Sequence, residues 1–172
     1  MTPVVDALTT LGVPYRVGGS VASSALGIPR STLDADIVCD ITEAVVDQLV
    51  TKLQDDFYVY AEMIRDAIRR RGSFNVIHLA TMMKVDVFVK RGDAFSRESF
   101  SRVVRKPLAE DVAAMPFDLT TAEDIILRKL EWYELGGRVS ERQWKDAYLD
   151  RWAKELGVEA LLVRARKEAD AM

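Results

Sequence analysis

A chain of 172 residues, 49% hydrophobic and 30% charged, has the balance of a soluble protein with one well-buried core, and excludes a disordered or fibrous chain. One cysteine excludes an internal disulfide and suits a reducing cytoplasm; no apolar run reaches membrane-spanning length, and the N-terminus lacks the basic-then-apolar pattern of a secretion signal. The net charge of −3 hides an asymmetry, because residues 60–106 carry eleven Lys/Arg against five Asp/Glu while the rest carries thirteen against twenty-two. Such a basic middle either collects phosphates or is a set of solvated faces.

In chain order, residues 3–11 read as a short amphipathic helix stopped at Gly12, and Pro14 to Val17 as a first strand. Residues 19–26 form a helix of small residues suited to close packing. Gly27, Pro29 and Ser31 mark a loop, and residues 33–39 read as the next strand. Thr42 opens a helix as N-cap, with Val45, Val46, Leu49 and Leu53 at helical spacing. A brief strand is expected at 57–60 and a helix of poor periodicity at 61–70. Residues 74–80 and 84–90 are strands joined by a short turn. Residues 94–101 are a short helix or turn, and 102–107 and 111–115 are short strands. Thr120 or Thr121 then caps a helix carrying Ile125, Ile126, Lys129, Leu130 and Tyr133, with Thr120-x-x-Glu123 as a capping box and Gly136-Gly137 as the stop. Ser140 caps another helix bearing Trp144, Tyr148, Leu149 and Trp152, and Gly157 precedes the last one. This order predicts an α/β (α+β) fold: a mixed sheet flanked by helices over 1–118, and a C-terminal helical subdomain over 119–172.

The chemistry concentrates in residues 17–38. A Gly18-Gly19-Ser20 turn follows an apolar run and opens a helix, where backbone N–H groups can cradle a phosphate. Asp34 and Asp36, one residue apart in a strand, project from the same face, while Ala35 and Ile37 point the other way. Two carboxylates held so close repel, and a divalent cation relieves them; hard oxygen donors suit Mg²⁺ (or Mn²⁺) bound with substrate phosphates. In the later strand Asp86 faces away from Val85, Val87 and Val89, a costly place for an acid without a partner.

Gly19-Ser20, a thirteen-residue spacer, then Asp34-Ala35-Asp36-Ile37 resembles the signature of the polymerase-β-like nucleotidyltransferase superfamily. The resemblance implies a nucleotidyltransferase fold, an NTP substrate and a metal held by Asp34, Asp36 and a third carboxylate from a neighbouring strand, for which Asp86 is the matching residue. The segment from Thr121 through Glu131, followed by Arg142-Gln143-Trp144-Lys145-Asp146, is similar to the C-terminal motifs of the AbiEii-type toxin nucleotidyltransferases. Carried over, Lys129 is a phosphate contact and Asp146 a second helical site residue, and Arg30 and Thr32 match contacts to a phosphate or sugar. The function implied is transfer of an NMP group from an NTP to an acceptor hydroxyl on RNA or tRNA, protein or a small molecule, with a toxin–antitoxin connection. The alternative is a silent nucleotide-binding module acting as a regulator.

Other residues read as structural. His78, the sole histidine, sits between Ile77 and Leu79 in a strand; Cys39 faces the core as a small hydrophobe. Trp144, Tyr148 and Trp152 form a packing stripe, and Arg69-Arg70-Arg71 a solvated helix end.

Overall fold

The alternation of polar and apolar residues at 34–39 and 84–89 produces the two central strands of a seven-stranded mixed sheet. The computed structural model describes residues 1–27, 34–108, 116–134 and 147–170. The chain forms two compact units, Met1–Thr120 and Thr121–Met172.

The first unit runs α1 (Thr2–Thr10), β1 (Tyr15–Val17), α2 (Gly19–Leu26), β2 (Asp34–Cys39), a 3-10 turn (Glu43–Val45), α3 (Val46–Leu53), β3 (Phe57–Tyr58), α4 (Ala61–Arg70), β4 (Ser73–His78), β5 (Lys84–Val89), α5 (Ala94–Ser101), β6 (Val104–Lys106) and β7 (Phe117–Leu119). The strands lie in the order β3-β4-β5-β2-β1-β7-β6. The β2–β5 and β1–β7 pairs are parallel and the other four antiparallel. One face carries Ala35, Ile37 and Cys39 from β2, Val85, Val87 and Val89 from β5, and Phe74 and Val76 from β4, all buried. Helix α4 packs on β4 and β5, α3 on α4, and α1 on α3. The expectation of poor periodicity for residues 61–70 does not hold: α4 is amphipathic, with Ile64 and Ala67 buried on one face, half-buried Arg65 paired with Asp47 and Glu62, and exposed Arg69 and Arg70 paired with Asp66.

Strand β7 was not legible. Its three residues centre on Asp118, an acid that reads as loop; the structure holds it between Arg16 of β1 and Arg105 of β6, at 3.7 and 3.6 Å. The strand expected at 111–115 lies outside the described residues.

The second unit comprises α6 (Ala122–Glu134), α7 (Ala147–Glu155) and α8 (Glu159–Asp170), with α7 packed on both others. Helix α6 is capped one residue later than the Thr120-x-x-Glu123 reading. The Asp124 amide donates to Thr121 Oγ1 at 3.3 Å, the Thr121 hydroxyl donates to Asp124 Oδ2 at 2.8 Å, and the Tyr148 hydroxyl donates to Asp124 Oδ1. Asp124 is fully buried, and these partners make that burial tolerable. Thr120 instead extends the sheet, its amide donating to the Val17 carbonyl at 2.8 Å. Leu127, Leu130, Leu149, Trp152, Val158 and Leu162 form the core of this unit. The expected stop at Gly136-Gly137, the Ser140 cap and Trp144 lie outside the described residues.

Candidate active site

Parallel pairing of β2 and β5 sets Asp34 beside Lys84 and Asp36 beside Asp86. Paired residues on neighbouring strands share a face, and strand spacing is about 4.8 Å. The antiparallel β4 adds Asn75 opposite Asp86 and Ile77 opposite Lys84. The face opposite the buried valines thus carries two rows: Asp36, Asp86 and Asn75, and next to it Asp34, Lys84 and Ile77. Asp34 is exposed; Asp36 and Asp86 are half-buried.

Lys84 is the cation within these two rows. Its Nζ lies 2.9 Å from Asp86 Oδ2. That hydrogen bond and then the charge of Asp86 raise the lysine's pKa; burial opposes them, and the charges of Asp34 and Asp36 add smaller raising effects. Among the described residues no three His, Cys, Asp or Glu side chains are drawn together as a ready-made metal cage. The carboxylates share a face and a register, and their hard oxygens suit a divalent ion, but Asp86 is engaged by Lys84.

The glycine turn lies directly against this face. Gly18 caps α2, and its amide donates to the Asp36 carbonyl at 2.9 Å. Gly19 opens α2 at φ +52, in the left-handed region. A Cβ at that position would stand 1.7 Å from Asp36 Oδ2 and 2.5 Å from its Cγ. Only a residue without a side chain lets the backbone approach the carboxylate so closely. The first turn of α2 therefore begins beside Asp36.

The remaining predicted residues fall elsewhere. Lys129 is a half-buried residue of α6 in the second unit. Arg30, Thr32 and Asp146 lie outside the described residues. His78 Nδ1 hydrogen-bonds Thr81 Oγ1 at 2.8 Å and its ring packs on Phe57. Cys39 is fully buried, and burial pushes its thiol pKa up to about 12. Arg71 adopts the left-handed cap of α4, and Trp152 is buried. Sequence reasoning passed over Lys84 and Asn75. Alternation alone put Lys84 on the Asp86 face, whereas Asn75 needed the register of β4.

A seven-stranded mixed sheet flanked by helices, with a glycine turn packed on an acidic strand pair, is the nucleotidyltransferase fold. No family model matches the chain, and no curated protein matches it in sequence. Among solved structures, the solution structure of the antibiotic-resistance factor ANT(2'')-Ia is similar at a TM-score of 0.53 and 14% identity, over 99% of this chain and 91% of that one. The crystal structure of ANT(2'')-Ia in complex with adenylyl-2''-tobramycin is similar at 0.52 and 14%, over 97% and 95%. At this identity the likeness establishes the fold and singles out no branch of the superfamily, AbiEii-type or other.

Proposed function

We propose that the protein is a divalent-metal-dependent nucleotidyltransferase that moves an NMP group from an NTP to an acceptor hydroxyl and releases pyrophosphate. The observation that carries this reading is the row of Asp36 and Asp86 on adjacent parallel strands, with Asp34 on the same face and Gly19 seated on Asp36. Asp34 and Asp36 would hold Mg²⁺ or Mn²⁺, with Asp86 as third ligand. When bound, the ion offsets the negative charge that builds on the phosphoryl oxygens during displacement. The Gly19-Ser20 turn, anchored by the bond from the Gly18 amide to the Asp36 carbonyl, would bind the β- and γ-phosphates and hold the α-phosphorus in place. Asp86 takes the proton of the acceptor hydroxyl as its oxygen bonds to that phosphorus, and the bond to the pyrophosphate oxygen breaks. By the AbiEii-type resemblance, Lys129 would contact the phosphates, Arg30 and Thr32 a phosphate or sugar, and Asp146 would be a second helical site residue.

The acceptor is an RNA or tRNA, a protein or a small molecule; the net positive charge of residues 60–106 favours an anionic one, and the resemblance to AbiEii-type toxins suggests a place in a toxin–antitoxin pair. ANT(2'')-Ia, crystallised with adenylyl-2''-tobramycin, makes a cationic small molecule the competing acceptor. The test incubates the protein with each α-labelled NTP, Mg²⁺ or Mn²⁺, and acceptors of the three classes. Label transferred by wild type and lost in Asp34→Asn and Asp36→Asn supports the reading. Nucleotide binding without transfer to any class returns the protein to a silent binding module.

A further inference from the structure

We propose that Lys84 is a built-in counter-ion that occupies Asp86 and has to leave it before Asp86 can join Asp34 and Asp36 around a divalent ion. The proposal rests on the transferase reading above and adds a positioning residue to it. Lys84 is two residues before Asp86 in β5 and directly beside Asp34 of β2, so its side chain shares the face of all three carboxylates. It uses that position, with Nζ 2.9 Å from Asp86 Oδ2.

Charge explains what this does. Lys84 offsets the charge of Asp86, one of three carboxylates that share the face. The partners are 37% and 20% exposed, so water can replace either one and the pair can open. The polyphosphate of an arriving nucleotide gives Lys84 a new anionic partner at the moment Asp86 is needed by the metal. An ammonium on a flexible stem can make that exchange, because it binds as a point charge without a fixed geometry. Metal and nucleotide therefore enter together, and the nucleotide-free site binds metal weakly through Asp34 and Asp36.

The experiment is Mn²⁺ binding to the full chain without nucleotide, read by electron paramagnetic resonance, with circular dichroism confirming each fold. Lys84→Met is expected to bind Mn²⁺ about five- to tenfold more tightly than wild type, the scale of one modest ion pair released. In an Asp86→Asn background the same substitution is expected to change affinity less than about twofold, since the lysine then has no carboxylate at position 86 to release. Lys84→Gln repeats the test should Lys84→Met fold poorly. Unchanged affinity in both lysine variants overturns the proposal. So does an equal gain in both backgrounds, which would make Lys84 a distant charge and not a competitor for Asp86. The transferase reading is judged separately by Asp34→Asn/Asp36→Asn: Mn²⁺ binding that survives that double substitution overturns the site itself.

Discussion

Gly19 is where backbone conformation and site geometry meet, and Gly19→Ala separates them. Its φ of +52 costs a residue with a Cβ about 1–2 kcal/mol. Its Cβ would also stand 1.7 Å from Asp36 Oδ2, so the carboxylate has to retreat by at least about 1.7 Å to reach ordinary contact. Overpacking of this kind costs a further ~1–3 kcal/mol. Two other glycines supply controls. Gly12 has φ +66 and nothing within 4 Å of a built Cβ, so Gly12→Ala meets the backbone cost alone. Gly18 has φ −120, and its Cβ would meet only Thr120 Oγ1 at 3.6 Å, so Gly18→Ala meets neither cost. In thermal unfolding, where each kcal/mol moves the midpoint of a chain this size by about 2–4 °C, the losses should rank Gly18→Ala, Gly12→Ala, Gly19→Ala. In NMP transfer only Gly19→Ala should collapse, by about 100-fold or more, because displacing a site group by an ångström costs that much. Gly19→Ala with wild-type transfer, or Gly12→Ala with an equal loss of transfer, would refute the reasoning.

Two further outcomes follow from buried groups. Thr121→Val and Tyr148→Phe each remove a hydroxyl donor from the buried Asp124 and should each cost about 1–3 kcal/mol in urea unfolding, whereas Thr120→Val should cost less; the reverse order would restore the earlier cap. Cys39, its thiol pushed up to about 12 by burial, should resist a thiol reagent at pH 8 until the chain unfolds. The folded state keeps that proton where the unfolded chain has lost it, so the thiol's contribution is intact below the ordinary thiol pKa and is lost as pH rises toward 12. Wild type should therefore lose stability faster than Cys39→Ala across that alkaline window, and parallel curves would show that the thiol titrates freely in the native state.

The parts of the fold visible in the sequence are those where one period runs long enough to exclude the other. Strands β2 and β5 alternate over six residues each, and α2 spans the predicted 19–26. Strand β7 has three residues, too few for a period, and exists through pairing with both β1 and β6. The cap of α6 shows a different limit. Thr120 with Glu123 and Thr121 with Asp124 satisfy the same local rule, and the sheet decides between them by taking the Thr120 amide for Val17. At the site, alternation showed which way each carboxylate faces within its own strand. It also put Lys84 on the face of Asp86, but it could not show that Asp36 and Asp86 stand in one row, because that depends on the register between two strands whose paired residues lie 50 apart in sequence (86 − 36).

That register is set by the core and not by the site. Sliding β5 one residue along β2 would turn Val85, Val87 and Val89 to the polar face and Asp86 into the apolar layer. Burying a valine contributes roughly 1.5–3 kcal/mol, so the three together hold the register with several kcal/mol. Against this stands the repulsion between Asp36 and Asp86, about 3 kcal/mol for unit charges one strand spacing apart at an effective dielectric of 20. The apolar face is the larger effect, and Lys84 lessens the opposing one. The sheet can therefore keep like charges adjacent before any metal arrives, which is the condition a site of this kind needs: the carboxylates are positioned by methyl groups on the opposite face, and the ligand does not have to organise them.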